Sequence, residues 1–185
     1  MANPSKRKTG PTWSDVKARL GDIDRDGLVR LVGDLYAASN DNRAFLHARF
    51  ALGDDPLGAY KDVVMRWVYP DVFKHQDVSV AKAKKAISDY RKASGDIHGL
   101  VELMTFYCEV ASDFAAEFGM DDEDYLESIL GMFEADIKAI AGLEAAARTA
   151  FWDRLDKVRG RCRGFGYGIG DAIDDLWARR NTRPR

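Results

Sequence analysis

Cysteine is nearly absent: Cys108 and Cys162 are the only two among 185 residues, and they form no CxxC pair. A disulfide framework is therefore not expected, and two reduced thiols fit a cytoplasmic protein. No apolar run approaches the roughly 20 residues that a membrane-spanning helix requires, so no membrane association is expected. The opening MANPSKRKTGPT carries basic residues with no apolar segment behind them, and it is not expected to act as a secretory signal. Histidine is scarce too: His47, His75 and His98 lie far apart and none belongs to an HExxH motif. Strand-like alternation between turn dipeptides is missing, which argues against a sheet. No repeat of fixed length is found, so an irregular bundle is expected rather than a regular solenoid.

What is present is helical periodicity. Hydrophobic residues make up 46% of the chain and charged residues 31%, ordinary values for a globular domain. In DGLVRLVGDLYAAS, Leu28, Leu31, Val32, Leu35 and Tyr36 follow the spacing of one helical face. NRAFLHARFAL continues the pattern. PLGAYKDVVMRWVYP reads as a helix with Pro56 in its first turn and an end before Pro70. SVAKAKKAISDYRKASG has Ser79 as a plausible N-cap and Gly95 as a stop. Longer helices are expected from about Asp96 to Phe118, from Asp122 to Ile140 and from Glu144 to Arg161, with a short last one from Ala172 to about Arg180. The long helices carry thick apolar faces, with Leu103, Tyr107 and Phe114 on one and Leu126, Ile129 and Phe133 on the next. The expected fold is all-α: an irregular antiparallel bundle or αα-array of eight to nine helices. A single domain over residues 12–180 is expected, flanked by flexible basic tails at 1–11 and 181–185.

Charge is unevenly spread. Lys6, Arg7 and Lys8 at one end, and Arg179, Arg180, Arg183 and Arg185 at the other, have no acid among them. The body keeps 21 bases against 30 acids. Basic ends on an acidic body can touch nucleic acid, or can simply be solvated.

GDIDRDGLVRLV opens like a calcium-binding loop, with Asp22, Asp24 and Asp26 alternating before Gly27. Such a loop needs a bidentate Glu at its twelfth position, where this chain has Gly33, with the shorter Asp34 one residue late. The helical pattern also starts too early, at Leu28. Asp24 or Asp22 is instead expected to cap the helix, with Asp26 in its first turn, and no metal or cofactor is expected. Glu102, Glu109, Asp113 and Glu117 share a long helix. A di-metal bundle would also need Glu-x-x-His on two helices, and Thr105 and Ser112 stand where histidines would be. The acidic stripe therefore reads as a solvated face. Ser and Cys sit within helical stretches without a nucleophile-elbow sequence, so an enzyme would need a site assembled from separated residues.

The segment RGFGYGIGDAIDDLW alternates Gly164, Gly166, Gly168 and Gly170 before Asp171. It is neither GxGxxG nor a P-loop. Four glycines disfavour a helix, which should stop near Arg163. One reading is a close-packed turn plugged by Phe165, Tyr167 and Ile169, with Asp171 capping the last helix. The other is an anion or interaction site built from Arg161, Arg163, Gly166, Tyr167, Gly168, Gly170 and Asp171, using bare amides at a helix start. The crowding of Asp171, Asp174 and Asp175 there favours structure over anion binding.

The ordered set LVRLVGDLYAAS, SVAKAKKAISDYRKAS, LVELMTFYCEVASDFAAEFG, DYLESILGMFEADI and GYGIGDAIDDL, from Trp13 to Trp177, resembles an uncharacterised family of small bacterial helical proteins with a domain of unknown function. The family pattern of an aromatic between two glycines before an Asp matches Gly166, Tyr167, Gly168 and Asp171, whereas Gly170 departs from a bulkier residue there. The resemblance implies an all-helical fold and a bacterial cytoplasmic setting, and carries no activity or catalytic residues. The functional expectation is a non-catalytic, adaptor-like or regulatory protein with a protein partner, supported by the aromatics Trp67 and Tyr69, which read as exposed. The alternatives are a nucleic-acid-associated protein using the basic tails and the segment from Lys74 to Lys92, and an enzyme whose site is not visible in sequence.

Overall fold

A computed structural model describes residues 10–180. The basic tails expected at 1–11 and 181–185 lie outside the described residues, apart from Gly10 and Pro11. Among the described residues there are nine α-helices, one 3-10 turn and no strand. They are α1 (Trp13–Leu20), α2 (Arg25–Ala38), α3 (Asn40–Phe50), α4 (Gly58–Val68), the 3-10 turn (Val72–Lys74), α5 (Val80–Ala93), α6 (Ile97–Phe118), α7 (Glu123–Ile140), α8 (Ala145–Cys162) and α9 (Ile169–Arg179). The chain falls into two units, one running to Arg43 and the other beginning at Ala44.

The first unit owes its helices to local chemistry. At the start of α1 the Asp15 carboxylate accepts from both the Thr12 amide and the Thr12 hydroxyl at 2.7 Å, fixing the N-terminal turn. The Asp24 carboxylate accepts from the Gly27 amide at 2.7 Å and caps α2. Gly33 consequently lies inside α2 rather than at the end of a loop. The Asn42 side chain donates to the Leu35 carbonyl at 2.7 Å and Arg43 Nε to the Tyr36 carbonyl at 3.1 Å, covering the open end of α2. Among the described residues of this unit none is buried.

In the second unit α6 is the central helix, packed against α4, α5, α7 and α8, while α9 lies on α7 and α8. Its buried residues cover most of its circumference: Val101, Leu103, Met104, Thr105, Tyr107, Cys108, Val110 and Ala111 follow almost without a break, and Glu102, Phe106, Glu109 and Asp113 form a half-buried stripe on the remaining side. A helix apolar over so much of its surface must be packed on several sides. Asp96 caps its start through the His98 and Gly99 amides, and Asp122 caps α7 through the Tyr125 amide. Tyr107, Tyr125 and Phe133 are the bulkiest fully buried side chains, each contributing ~2–3 kcal/mol by burial. The hydroxyls enter the core with partners. Tyr107 donates to Ser128 Oγ at 2.8 Å, Ser128 donates to the Tyr125 carbonyl at 2.6 Å, and Tyr125 donates to the Val68 carbonyl at the end of α4.

Several boundaries differ from the sequence expectation. Pro56 lies in the turn before α4, whose N-cap is Leu57. Ser79 holds the N-cap position of α5 without a side-chain hydrogen bond. Helix α1 was not anticipated, because Trp13, Val16 and Leu20 make too short a pattern to read. The last helix begins at Ile169, three residues earlier than expected, with Gly168 as its N-cap. Asp171 is therefore in the first turn and is not the cap. The early start is possible because Gly168 adopts φ +72° and because Gly170 lies against the end of α8. A Cβ on Gly170 would stand 2.9 Å from the Cys162 carbonyl oxygen and 3.0 Å from that of Arg163.

This corner yields a stability ordering. Gly168→Ala forces a side chain to positive φ, and Gly170→Ala drives a methyl into backbone that cannot swing away; each should cost ~1 kcal/mol or more. Gly164→Ala meets open space and should cost little. Thermal melts of the three variants should show Tm lowered by roughly 2–4 °C or more for the first two. An equal drop in Gly164→Ala would contradict the account.

Candidate functional site

Charged groups enter the second unit along one line, the face of α6 that carries Glu102 and Glu109 two turns apart. Arg154 of α8 grips both. Its Nε donates to Glu109 Oε1 at 2.8 Å, its Nη2 to Glu109 Oε2 at 2.7 Å, and its Nη1 to Glu102 Oε2. Lys61 of α4 reaches Glu102 Oε1 at 2.7 Å from the other side. Further along α6, Arg161 donates to Ser112 Oγ at 2.9 Å and pairs with Asp113 at 2.7 Å, and Glu117 accepts from the Tyr69 hydroxyl. The acidic stripe is thus a half-buried ion-pair seam, not the solvated face expected from sequence. The reason is register: Arg154 and Arg161 are seven residues apart on α8, as Glu102 and Glu109 are on α6, and the two helices run the same way.

The electrostatics follow the geometry. Burial pushes the Glu102 carboxyl up, but hydrogen bonds from Arg154 and Lys61 outweigh it and hold the group below the usual range. Arg154 is raised, chiefly by its bonds to Glu109. Bidentate pairs of this kind are strong and directional, and these groups saturate one another.

Behind the seam lies a residue that sequence reasoning missed. Asp136 of α7 is 0% exposed. Its Oδ2 accepts from Thr105 Oγ1 of α6 at 2.7 Å, while Oδ1 has no hydrogen-bond partner among the described residues. Burial pushes its pKa up to about 8; Thr105 and Arg154 pull the other way, and Glu102 and Glu109 add to the rise. The signal was present: Asp136 follows Met132 by four and Phe133 by three, which puts it on the apolar face of α7. Sealed from solvent, the carboxyl cannot reach a substrate. Cys108 and Cys162 are also buried; burial raises both thiols, Cys162 to about 12, so neither is a ready nucleophile.

The residues singled out in the glycine segment are only partly brought together. Arg161 is engaged with α6, as described, and Arg163 lies 3.9 Å from Asp174 of α9. Gly166 accepts from the Ile169 amide through its carbonyl, and Tyr167, at φ +56°, donates to the Asp121 carbonyl at 3.3 Å. Gly168 and Gly170 shape the start of α9, and the Asp171 carboxyl sits in its first turn. Of the expected plugs, Ile169 is buried, Phe165 is half-buried and Tyr167 is exposed.

The aromatics expected at the surface are not there. Trp67 and Tyr69 pack on the core. Trp67 is covered by Arg66 and Lys82, 4.4 and 3.6 Å from its ring centre, and Tyr69 stacks edgewise on Phe114 and Phe118. The exposed apolar surface lies elsewhere. Leu28, Leu31, Val32 and Leu35 share one face of α2 and all are exposed, Leu35 by 51%. Trp13 and Val16 of α1 are exposed as well.

Asp136 generates a pH prediction. Its folded pKa lies above the unfolded carboxylate value, so its contribution to stability is full below about pH 4 and is lost as pH rises toward 8. Glu102 has the opposite sign, losing its contribution as pH falls. Between pH 4.5 and 8.5, Asp136→Asn should therefore gain ~2 kcal/mol or more relative to the parent, read as a widening Tm difference in paired melts. Parallel pH profiles would contradict it. Arg154→Met, which leaves Glu109 without its cation, should cost ~2 kcal/mol near neutral pH.

No family model matches the chain, and no curated protein or solved structure matches it.

Proposed function

We propose that the chain is a non-catalytic helical interaction protein, adaptor-like or regulatory, that presents the apolar face of α2 to a protein partner. One observation carries this reading: the i, i+3, i+4, i+7 set Leu28, Leu31, Val32 and Leu35 faces outward along a capped, regular helix. Contiguous exposed apolar surface marks interaction sites. This spacing suits an amphipathic helix lying in a partner's apolar groove. Arg30 and Asp34 sit on the opposite face and keep that side in water. The seam of the second unit supports a non-catalytic role, because Glu102, Glu109 and Arg154 saturate one another. The resemblance to a bacterial helical family, together with the two free thiols, supports a bacterial cytoplasmic setting.

The test is a double variant, Leu31→Glu with Leu35→Glu, at exposed positions where the fold should tolerate charge. A protein co-purifying with the parent should, as a purified pair, protect α2 amides from hydrogen exchange. The variant should weaken that pair at least tenfold while its Tm stays close to the parent's. Equal binding of parent and variant, or protection confined to other helices, would contradict the proposal. So would a parent that retains no partner.

A further inference from the structure

From Tyr60 to Ala93 eight bases meet four acids, in a chain whose net charge is -2. Helix α5 sorts this charge by face. Ala83, Ala86, Ile87, Tyr90 and Ala93 are buried, so the 3.6-residue period turns Lys84, Lys85, Arg91 and Lys92 outward, and all four are exposed. The cations stand in two rows, Lys84 with Arg91 and Lys85 with Lys92, each spanning about 10 Å along the axis. Asp89 is the one acid on α5 and is bridged by Lys85 and Lys92. Between the rows stand only Ala81 and Ser88.

The loop leading into α5 adds an aromatic. Phe73, on the 3-10 turn, is 87% exposed. The loop that carries it is stapled: the Asp71 carboxylate accepts from the Phe73 and Lys74 amides and pairs with Lys74 at 2.9 Å. Arg66 holds the Asp77 carbonyl at 3.3 Å, and the Ser79 amide donates to the Trp67 carbonyl at 2.9 Å. Those ties place the loop beside Trp67, where Arg66 and Lys82 stack. A large apolar ring held in water on an anchored turn, in the loop that leads into the helix carrying the two rows of cations, can serve as a stacking platform.

We propose that α5 and the loop 71–79 form a binding surface for single-stranded nucleic acid, with Lys84, Lys85, Arg91 and Lys92 facing the phosphates and Phe73 stacking on a base. Single-strand binders combine a basic track with aromatic platforms in this way. An anionic membrane fits less well, because interfacial helices bury a broad apolar face and the outward face of α5 has no large apolar residue. The surface belongs to the second unit, whereas α2 belongs to the first, and it does not depend on the role given to α2.

The experiment is fluorescence anisotropy of the full chain with a labelled mixed-sequence 20-mer single strand, titrated over salt. Phosphate contacts make log K fall against log salt by about 0.7 per contact, so four contacts give a slope near -3. Lys84→Glu with Arg91→Glu should weaken binding at least tenfold and flatten the slope. Phe73→Ala should weaken it about tenfold with the slope unchanged, because stacking releases no counterion. A third variant, Lys6, Lys8 and Arg7 each to Ala, should retain the effects of both. Binding that ignores the α5 and Phe73 changes and disappears with the Lys6–Lys8 changes would overturn the proposal. So would equal affinity for a duplex of the same sequence, or binding only to vesicles containing phosphatidylserine. All substitutions are at exposed positions or outside the described residues, and matching thermal melts exclude unfolding as the cause.

Discussion

Helix α6 can leave only its acidic stripe near water, because twelve of its 22 residues are buried and they cover the rest of its circumference. That constraint orders the second unit. Four helices, α4, α5, α7 and α8, must cover it, and each does so with its own apolar stripe. Once they are in place, the groups on α6 that are not apolar have to be matched by whatever the covering helices bring. Thr105 meets Asp136 of α7, Tyr107 meets Ser128 of α7, and Glu102 and Glu109 meet Arg154 of α8.

The matches are unequal in energy. The Arg154 fork keeps 28% of its side chain in water and makes charge-assisted bonds to both glutamates, so its desolvation cost is offset by geometry. Asp136 is different. Among the described residues it has one hydrogen-bond partner, an orphaned oxygen and no ion-paired cation, and its carboxyl is held protonated over much of the neutral range. A buried group left with half its hydrogen-bonding capacity unmet costs stability compared with an apolar residue of the same shape. The polar seam therefore fixes the register of α8 against α6 more than it strengthens the fold.

Because the charges inside the second unit are engaged with one another, the surfaces that can meet another molecule lie outside. They divide by chemistry. Helix α2 offers an apolar face on a locally capped helix, suited to a protein groove. Helix α5 offers cations in two rows, and the loop leading into it an anchored, exposed phenylalanine. Both faces arise from the same 3.6-residue sorting of side chains; α5 turns its apolar side to the core and its cations outward, whereas α2 buries no residue and leaves its apolar side outside.

The all-helical class and most helix limits were readable from the sequence, because they depend on neighbours three and four residues apart. Asp24, Asp96 and Asp122 cap the helices that follow them through their own side chains, and the apolar spacing of α6 and α7 belongs to any such helix. Tertiary structure decided the rest. Whether Glu102 and Glu109 face water or Arg154 depends on where α8 lies, some fifty residues away in the chain. Asp136 could be recognised as sealed only once α6 and its neighbours were in position. The start of α9 at Ile169 rather than Ala172 was decided by the approach of Gly170 to the Cys162 carbonyl, a contact no local propensity encodes. Trp67 was hidden by Lys82, and Phe73 was left out, by the fold of one loop. Local periodicity determines which residues share a face; only the packing of distant helices determines what that face meets.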